Sequence, residues 1–322
     1  MTLPKIGFIG LGNVGASLAG NLARNGADLT VRDLNPDLVA KFVAMGAKSA
    51  ASPKEMAEQV DVVITCLPSP AASAEVLEAA DGVIAGLSPG KIWMEMSTTD
   101  EAEIKRLAPL VEATGALAME CPVSGGCHRA ATGNISIFAG GERAGFERVL
   151  PILKILGCQI LHTGPIGSAS VLKVMTNYLC TAHLVALAEA LTTMKVVGLD
   201  MNTVYEAIRI SSGNSFVHET ESQVILNGSR DINFTMDLVI KDVGLFDSIA
   251  QKHHVPLELS PLILDIFKKS AATYGPRELS PNVIRRYEEP MGVKVLGVGF
   301  PPQMTDDKPK EEGYEVFPSN RK

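Results

Sequence analysis

At 322 residues the chain has room for two domains, each with its own core. Its 46% hydrophobic and 20% charged residues match an ordinary globular enzyme, and a net charge of −7 excludes nucleic acid as the main partner. Five scattered cysteines, odd in number and without close pairing, exclude a disulfide framework and a zinc centre; they point to a reducing, cytoplasmic setting.

A strand pattern begins almost at once, at Lys5–Ile9, so no signal peptide is expected. It runs into Gly10-Leu-Gly12-Asn13-Val14-Gly15 and a helical pattern reaching Arg24. Strand, G-x-G-x-x-G and helix is the context in which this motif binds a dinucleotide. Gly10 permits the tight turn, Gly12 the close approach of a pyrophosphate, and Gly15 the packing of helix on strand. A second strand, Asp28–Arg32, ends at Asp33, where a carboxylate holds the ribose hydroxyls. An acid there repels a 2′-phosphate and Leu34 offers no positive charge, so NAD is expected over NADP; Arg32 is the one nearby cation able to reverse that preference. Strands and helices keep alternating through Val60–Leu67, Ala71–Ala80 and Lys91–Met96, which predicts a doubly wound parallel sheet with helices on both faces. Ligands sit at the carboxyl ends of such strands, where Cys66-Leu67-Pro68 and Ser97-Thr98-Thr99 fall; plain strand-ending turns fit those two segments equally.

Next comes Glu120-Cys-Pro-Val-Ser124-Gly125-Gly126, followed by Cys127-His128-Arg129. A hydroxyl beside two unhindered backbone amides makes a carboxylate cradle, and Arg129 adds a bidentate grip on a second anionic group; a plain loop fits the spacing as well. Ala169–Leu191 is apolar on nearly every helical face, with Lys173 and Glu189 as its charges. Its charge-free run Val174–Ala188 falls short of the ~18 apolar residues of a membrane span, so the helix is expected inside protein. A lysine there is costly without a task or a partner, and Asn177 lies four residues on, along the same face.

Gly10–Gly15, Asp33, Ser97-Thr98, Pro122–Gly126 and Lys173 with Asn177, in that order, give a chain that resembles the β-hydroxyacid dehydrogenase family, from about Lys5 to Asp242. That group includes 3-hydroxyisobutyrate dehydrogenase and tartronate semialdehyde reductase, and is akin to 6-phosphogluconate dehydrogenase. The resemblance implies a dinucleotide held by Gly10, Gly12, Asn13, Val14, Gly15 and Asp33, with Leu67, Pro68 and Thr98 beside it. Ser124, Gly125 and Gly126 would bind the substrate carboxylate. Lys173 falls at the catalytic position as general acid and base, Asn177 is its companion, and Lys241 stands near cofactor and substrate. Burial and a second ammonium would bring a catalytic lysine towards neutrality. Three residues depart from the family pattern: Ala169 replaces a glycine, Thr176 an asparagine, and Arg129 a small residue. Arg129 points to a more acidic or polar substrate than 3-hydroxyisobutyrate.

From Gly167 to about Glu289 the periods are helical, over Thr203–Ile210, Ser215–Leu226 and Met236–His253. The predicted organisation is a dinucleotide-binding domain over 1–165, an all-α substrate and oligomerisation domain over 166–290, and an extension over 291–322. Val293–Phe300 reads as a short extended piece and the remainder as a solvated tail, with Tyr314, Val316 and Phe317 available to a neighbouring subunit. So apolar a helix as Ala169–Leu191 asks for a homodimer or homotetramer. His183 is expected as a core histidine, Cys121 and Cys127 as packing residues, and His218-Glu219-Thr-Glu221 as a polar stretch with no metal. The expected activity is interconversion of a small 3-hydroxy acid and its semialdehyde or keto acid. The alternatives are an NADPH-dependent semialdehyde reductase and a catalytically silent cofactor-binding module.

Overall fold

The computed structural model describes residues 3–318. The chain divides into two compact units, residues 1–173 with 306–322, and residues 174–305. Among the described residues, the first unit is built on a ten-stranded sheet: β1 Ile6–Ile9, β2 Leu29–Arg32, β3 Lys48–Ser49, β4 Val62–Thr65, β5 Ile92–Glu95, β6 Leu117–Glu120, β7 Val123–Ser124, β8 Ser136–Gly140, β9 Gln159–Gly164 and β10 Tyr314–Glu315. Between them run α1 Asn13–Arg24, α2 Pro36–Ala44, α3 Pro53–Gln59, α4 Pro70–Glu78, α5 Val83–Gly86, α6 Glu101–Glu112, α7 Gly126–Thr132 and α8 Arg143–Leu156. The order β3-β2-β1-β4-β5-β6 is parallel throughout, with the topological switch point between β1 and β4. Strands β1, β4 and β5 are buried along their whole length, as apolar runs covered on both faces require.

Beyond β6 the sheet departs from the parallel pattern. Strand β8 pairs antiparallel with β6 and β7, so the sheet is mixed; β9 runs parallel to β8 and so also opposes β6. The connection from β7 to β8 carries only the seven-residue α7, too little for a parallel crossover, which needs a dozen residues or more.

Nor is the C-terminal stretch a free tail. Residues 291–305 stay with the helical unit, where Val295 is fully buried and its amide donates to Glu288 at 2.7 Å. From Asp306 the chain rejoins the sheet unit, and β10 pairs parallel with β9 in register Tyr314↔Gln159. Arg143 fastens it through both oxygens of Glu315, at 2.5 and 3.0 Å.

The second unit takes most of α9 Ser168–Val197, then α10 Met201–Arg209, α11 Phe216–Asn227, α12 Met236–Lys252, α13 Leu259–Tyr274 and α14 Arg285–Met291. Its core gathers Leu184, Leu187, Ala188 and Leu191 of α9 with Ile225, Met236, Val243 and Phe267. Tyr178 stacks on Phe246 with ring centroids 4.5 Å apart, bracing α9 on α12. At 30 residues α9 outruns its charge-free run and is long and apolar enough to cross a bilayer by length and composition. Its own chain covers it only in part. Only 39% of its most apolar window is buried within the chain, with Leu179 and Val197 exposed. His183 is exposed too, so it is no core histidine.

Candidate functional site

The glycine turn has the geometry a dinucleotide needs. Gly10 sits at φ 97°, and a Cβ there would lie 2.3 Å from the Cys66 carbonyl oxygen. A Cβ on Gly15 would lie 2.0 Å from the Gly10 carbonyl oxygen, so α1 can pack this closely only through glycine. Around Gly12 no neighbouring atom of the described residues lies within 4 Å of such a Cβ, which leaves its backbone open to a ligand. Gly12 caps α1 without a side-chain bond, and the first amides of a helix have no partner within it and suit an anion. Asp33 follows β2 and accepts the Leu11 amide at 2.6 Å and the Asn35 amide at 2.8 Å, which ties this acid to the glycine turn. Arg32 donates to the Ala51 carbonyl at 2.6 Å, and Leu34 is 96% exposed. These residues fit a dinucleotide.

The two strand-end segments are joined. The Leu67 amide donates to Ser97 Oγ at 2.7 Å, and both the amide and hydroxyl of Ser97 donate to Glu95. Thr98 is half-buried beside them and Pro68 is exposed. Glu95 is buried, and burial pushes its carboxyl up against the pull of the Ser97 bonds. Burial likewise pushes the Cys66 thiol up to about 12, with Glu95 adding to it, and raises Cys121 well above its ordinary value. Both thiols stay protonated near neutrality and serve packing.

The Pro-Val-Ser-Gly-Gly segment closes β7 and opens α7. Gly125 and Gly126 have φ of 131° and 85°, a path that favours glycine and turns the backbone sharply after Ser124. A Cβ on Gly125 would lie 3.2 Å from Arg129 Cδ, and one on Gly126 would lie 2.9 Å from His128 Cε1. Arg129 and His128 therefore lie along the two glycines, and the spacing alone does not single out His128. Burial and the Arg129 charge lower His128, while Asp306 raises it. Helix α7 is tied to α1 by Asn21, whose amide donates to the Ala130 carbonyl at 2.7 Å, and by Arg24, which donates to Ala131 at 2.7 Å.

Lys173 is 8% exposed on α9. The start of that helix is held by a residue that sequence spacing leaves unremarked. Glu120, fully buried at the end of β6, accepts the amides of Gly167 at 2.6 Å, Ala169 at 2.9 Å and Ser170 at 3.1 Å, and the Ser170 hydroxyl. A Cβ at Gly140 would lie 2.4 Å from Glu120 Oε1, so that glycine makes room for the carboxylate. Burial raises the Glu120 carboxyl, and the four donors oppose that rise. The signal is present as an acid at the end of a strand, but its partner lies 47 residues on.

In the helical unit, Asn177 donates from Nδ2 to Asp242 Oδ2 at 2.5 Å, and Lys241 Nζ lies 2.6 Å from Asp242 Oδ1. Buried Asp242 thus gathers two predicted site residues. His218 is buried, with its ring nitrogens 2.9 Å from Ser222 Oγ and from the Tyr205 carbonyl.

Residues 5–164 match the family model described as the NAD binding domain of 6-phosphogluconate dehydrogenase. Residues 167–287 match that described as the NAD-binding region of NADP-dependent 3-hydroxyisobutyrate dehydrogenase. The chain is 33% identical to a 2-(hydroxymethyl)glutarate dehydrogenase of Eubacterium barkeri, over 91% of this chain and 98% of that protein. It is 33% identical to the mitochondrial 3-hydroxyisobutyrate dehydrogenase of Mus musculus, over 82% of this chain and 81% of that protein. Among solved structures, a 3-hydroxyisobutyrate dehydrogenase from Salmonella typhimurium superposes with a TM-score of 0.81 at 29% identity, covering 88% of this chain and 99% of that one.

Proposed function

The chain belongs to the β-hydroxyacid dehydrogenase family, oxidoreductases acting on a CH–OH group with NAD or NADP, and we propose that it interconverts a small 3-hydroxy acid with its semialdehyde or keto acid, Lys173 carrying the proton. The observation that carries this reading is a buried lysine in the second turn of a helix whose first amides are fixed by Glu120. Bound NAD supplies the hydride acceptor, and NADH the donor in reverse. Ser124 and the backbone at Gly125 and Gly126 hold the substrate carboxylate, which orients its hydroxyl. Lys173 Nζ takes the hydroxyl proton in oxidation and returns it to the carbonyl oxygen in reduction. Asn177 and Lys241, both held by Asp242, stand as polar companions to that exchange.

Arg129 grips a second anionic or polar group on the substrate, a reading supported by its position along Gly125. The Eubacterium barkeri relative carries the name of a dicarboxylic hydroxy acid, in keeping with that assignment. NAD is preferred to NADP because Asp33 occupies the ribose position, Leu34 is uncharged, and Arg32 is engaged with backbone carbonyls. The exposed apolar residues of α9, Leu179, Val196 and Val197, support a homodimer or homotetramer, and the scattered cysteines support a reducing, cytoplasmic setting.

The test is NADH formation across a panel of short 3-hydroxy acids, with and without a second carboxylate or sulfonate. A selective hit whose preference is lost in Arg129→Ala fits the proposal. NAD binding without turnover on every member would overturn it in favour of a silent cofactor-binding module.

A further inference from the structure

Residues 306–311 lie beyond both matched family regions, which end at residue 287, yet they are bonded to the end of the helix that carries Arg129. Asp306 Oδ2 accepts the Thr132 hydroxyl at 2.5 Å and the Asn134 side-chain amide at 2.8 Å. Thr132 Oγ1 is itself 3.2 Å from the Arg129 carbonyl oxygen, so the carboxylate is one side chain removed from the Arg129 backbone. Lys310 Nζ donates to the carbonyls of Gly133 at 2.5 Å and Gly157 at 3.1 Å, and its stem covers Gly133, the residue that caps α7 at φ 80°. The Glu311 amide donates to Asn134 Oδ1 at 2.8 Å. Three successive anchors thus hold a carboxylate beside the end of α7.

We propose that Asp306 is a specificity-determining residue: its fixed negative charge offsets Arg129 and so restrains the cradle's attraction for substrates with two anionic groups. The inference rests on the reading of Arg129 as a substrate contact. Its charge balance has physical support. Burial raises the Asp306 carboxyl, but the bonds from Thr132 and Asn134, the Lys308 amide and the Arg129 charge together hold it below its ordinary value. The carboxylate is therefore ionised throughout the neutral range, and its field is felt at both Arg129 and His128. A fixed charge acts once on a monoanion and twice on a dianion, so removing it favours the dianion.

The experiment compares wild type, Asp306→Asn, Arg129→Ala and Lys310→Met on a paired series of 3-hydroxy acids with one and two carboxylates. Asparagine keeps acceptors for Thr132 and Asn134 while removing the charge. Lys310→Met loosens the same segment while leaving the Asp306 charge in place. In Asp306→Asn, kcat/KM for the diacid relative to the monoacid is expected to rise roughly 3- to 10-fold, chiefly through KM, at ordinary salt. The His128 titration, followed by NMR, is expected to move to lower pH. Lys310→Met also removes a positive charge, so it should leave the ratio where it is or lower it, and not raise it.

An unchanged ratio in Asp306→Asn, with Arg129→Ala still lowering it, would overturn this inference and leave the Arg129 assignment standing. An unchanged ratio in both variants would remove the two together. The same rise in Lys310→Met would assign the effect to loosening of α7 and overturn the charge argument.

Discussion

Glu120 receives Ser170 twice, at the backbone amide 3.1 Å away and at the hydroxyl, so the end of β6 holds the first turn of the helix that bears Lys173. Glu120→Gln places an NH2 group among four donors and leaves at least one without an acceptor. The expected cost is about 1–3 kcal/mol of stability, with kcat falling more than cofactor affinity. Denaturant unfolding beside single-turnover kinetics checks both; an unchanged kcat in a destabilised variant would confine Glu120 to a structural role.

Lys173→Ala is expected to lower kcat by roughly 10²- to 10⁴-fold, the usual range for general acid–base groups, while NAD binds as before. Cofactor fluorescence titration and turnover measured on the same sample separate the two quantities. Loss of both together would contradict the assignment.

Gly12 and Gly15 stand three residues apart and predict opposite phenotypes. Gly12→Ala adds a methyl where no neighbouring atom of the described residues lies within 4 Å, so its thermal midpoint should stay near wild type while NAD affinity falls. Gly15→Ala drives a methyl towards the Gly10 carbonyl oxygen, at 2.0 Å, and should destabilise the fold itself. Melting curves with and without NAD tell the two apart.

Glu221 supplies a pH dependence away from the site. Burial pushes its carboxyl from 4.5 up to about 7, opposed by the Cys180 thiol that donates to it at 3.7 Å. The folded chain therefore holds this proton more tightly than the unfolded chain. The stabilising contribution is fully present below pH 4.5 and is lost as pH rises through about 7. The whole span corresponds to about 3 kcal/mol at most. Glu221→Gln should flatten that decline, so unfolding free energies measured across it are expected to converge at low pH and to favour the variant above neutrality.

Much of the first unit was legible in the sequence because its signals are local. Gly10, Gly12 and Gly15 follow a strand at fixed spacing, and Asp33 ends the next one. Gly125 and Gly126 are adjacent in the sequence, and both take the positive φ that glycine favours. What escaped depends on distant pairing. The direction of β8 is set by its partners β6 and β7, and Glu120 acts on amides 47 residues and more away. Helix α9 is so evenly apolar that its pattern hides which face is outward, hence the misplaced His183. The last segment reads as solvated because it is charged, yet Asp306, Lys310, Glu311 and Glu315 each use a charged side chain as a connector.

The late arrival of β10 bears on how the molecule is made. Synthesis delivers residues 174–305, the whole helical unit, before it delivers the strand that pairs with β9. Until then β9 offers an open row of amides and carbonyls to any passing strand, including that of another nascent chain on the same message. Newly made protein thus goes through an interval of vulnerability that ends when Tyr314 and Glu315 cover that edge at Gln159 and Ile160.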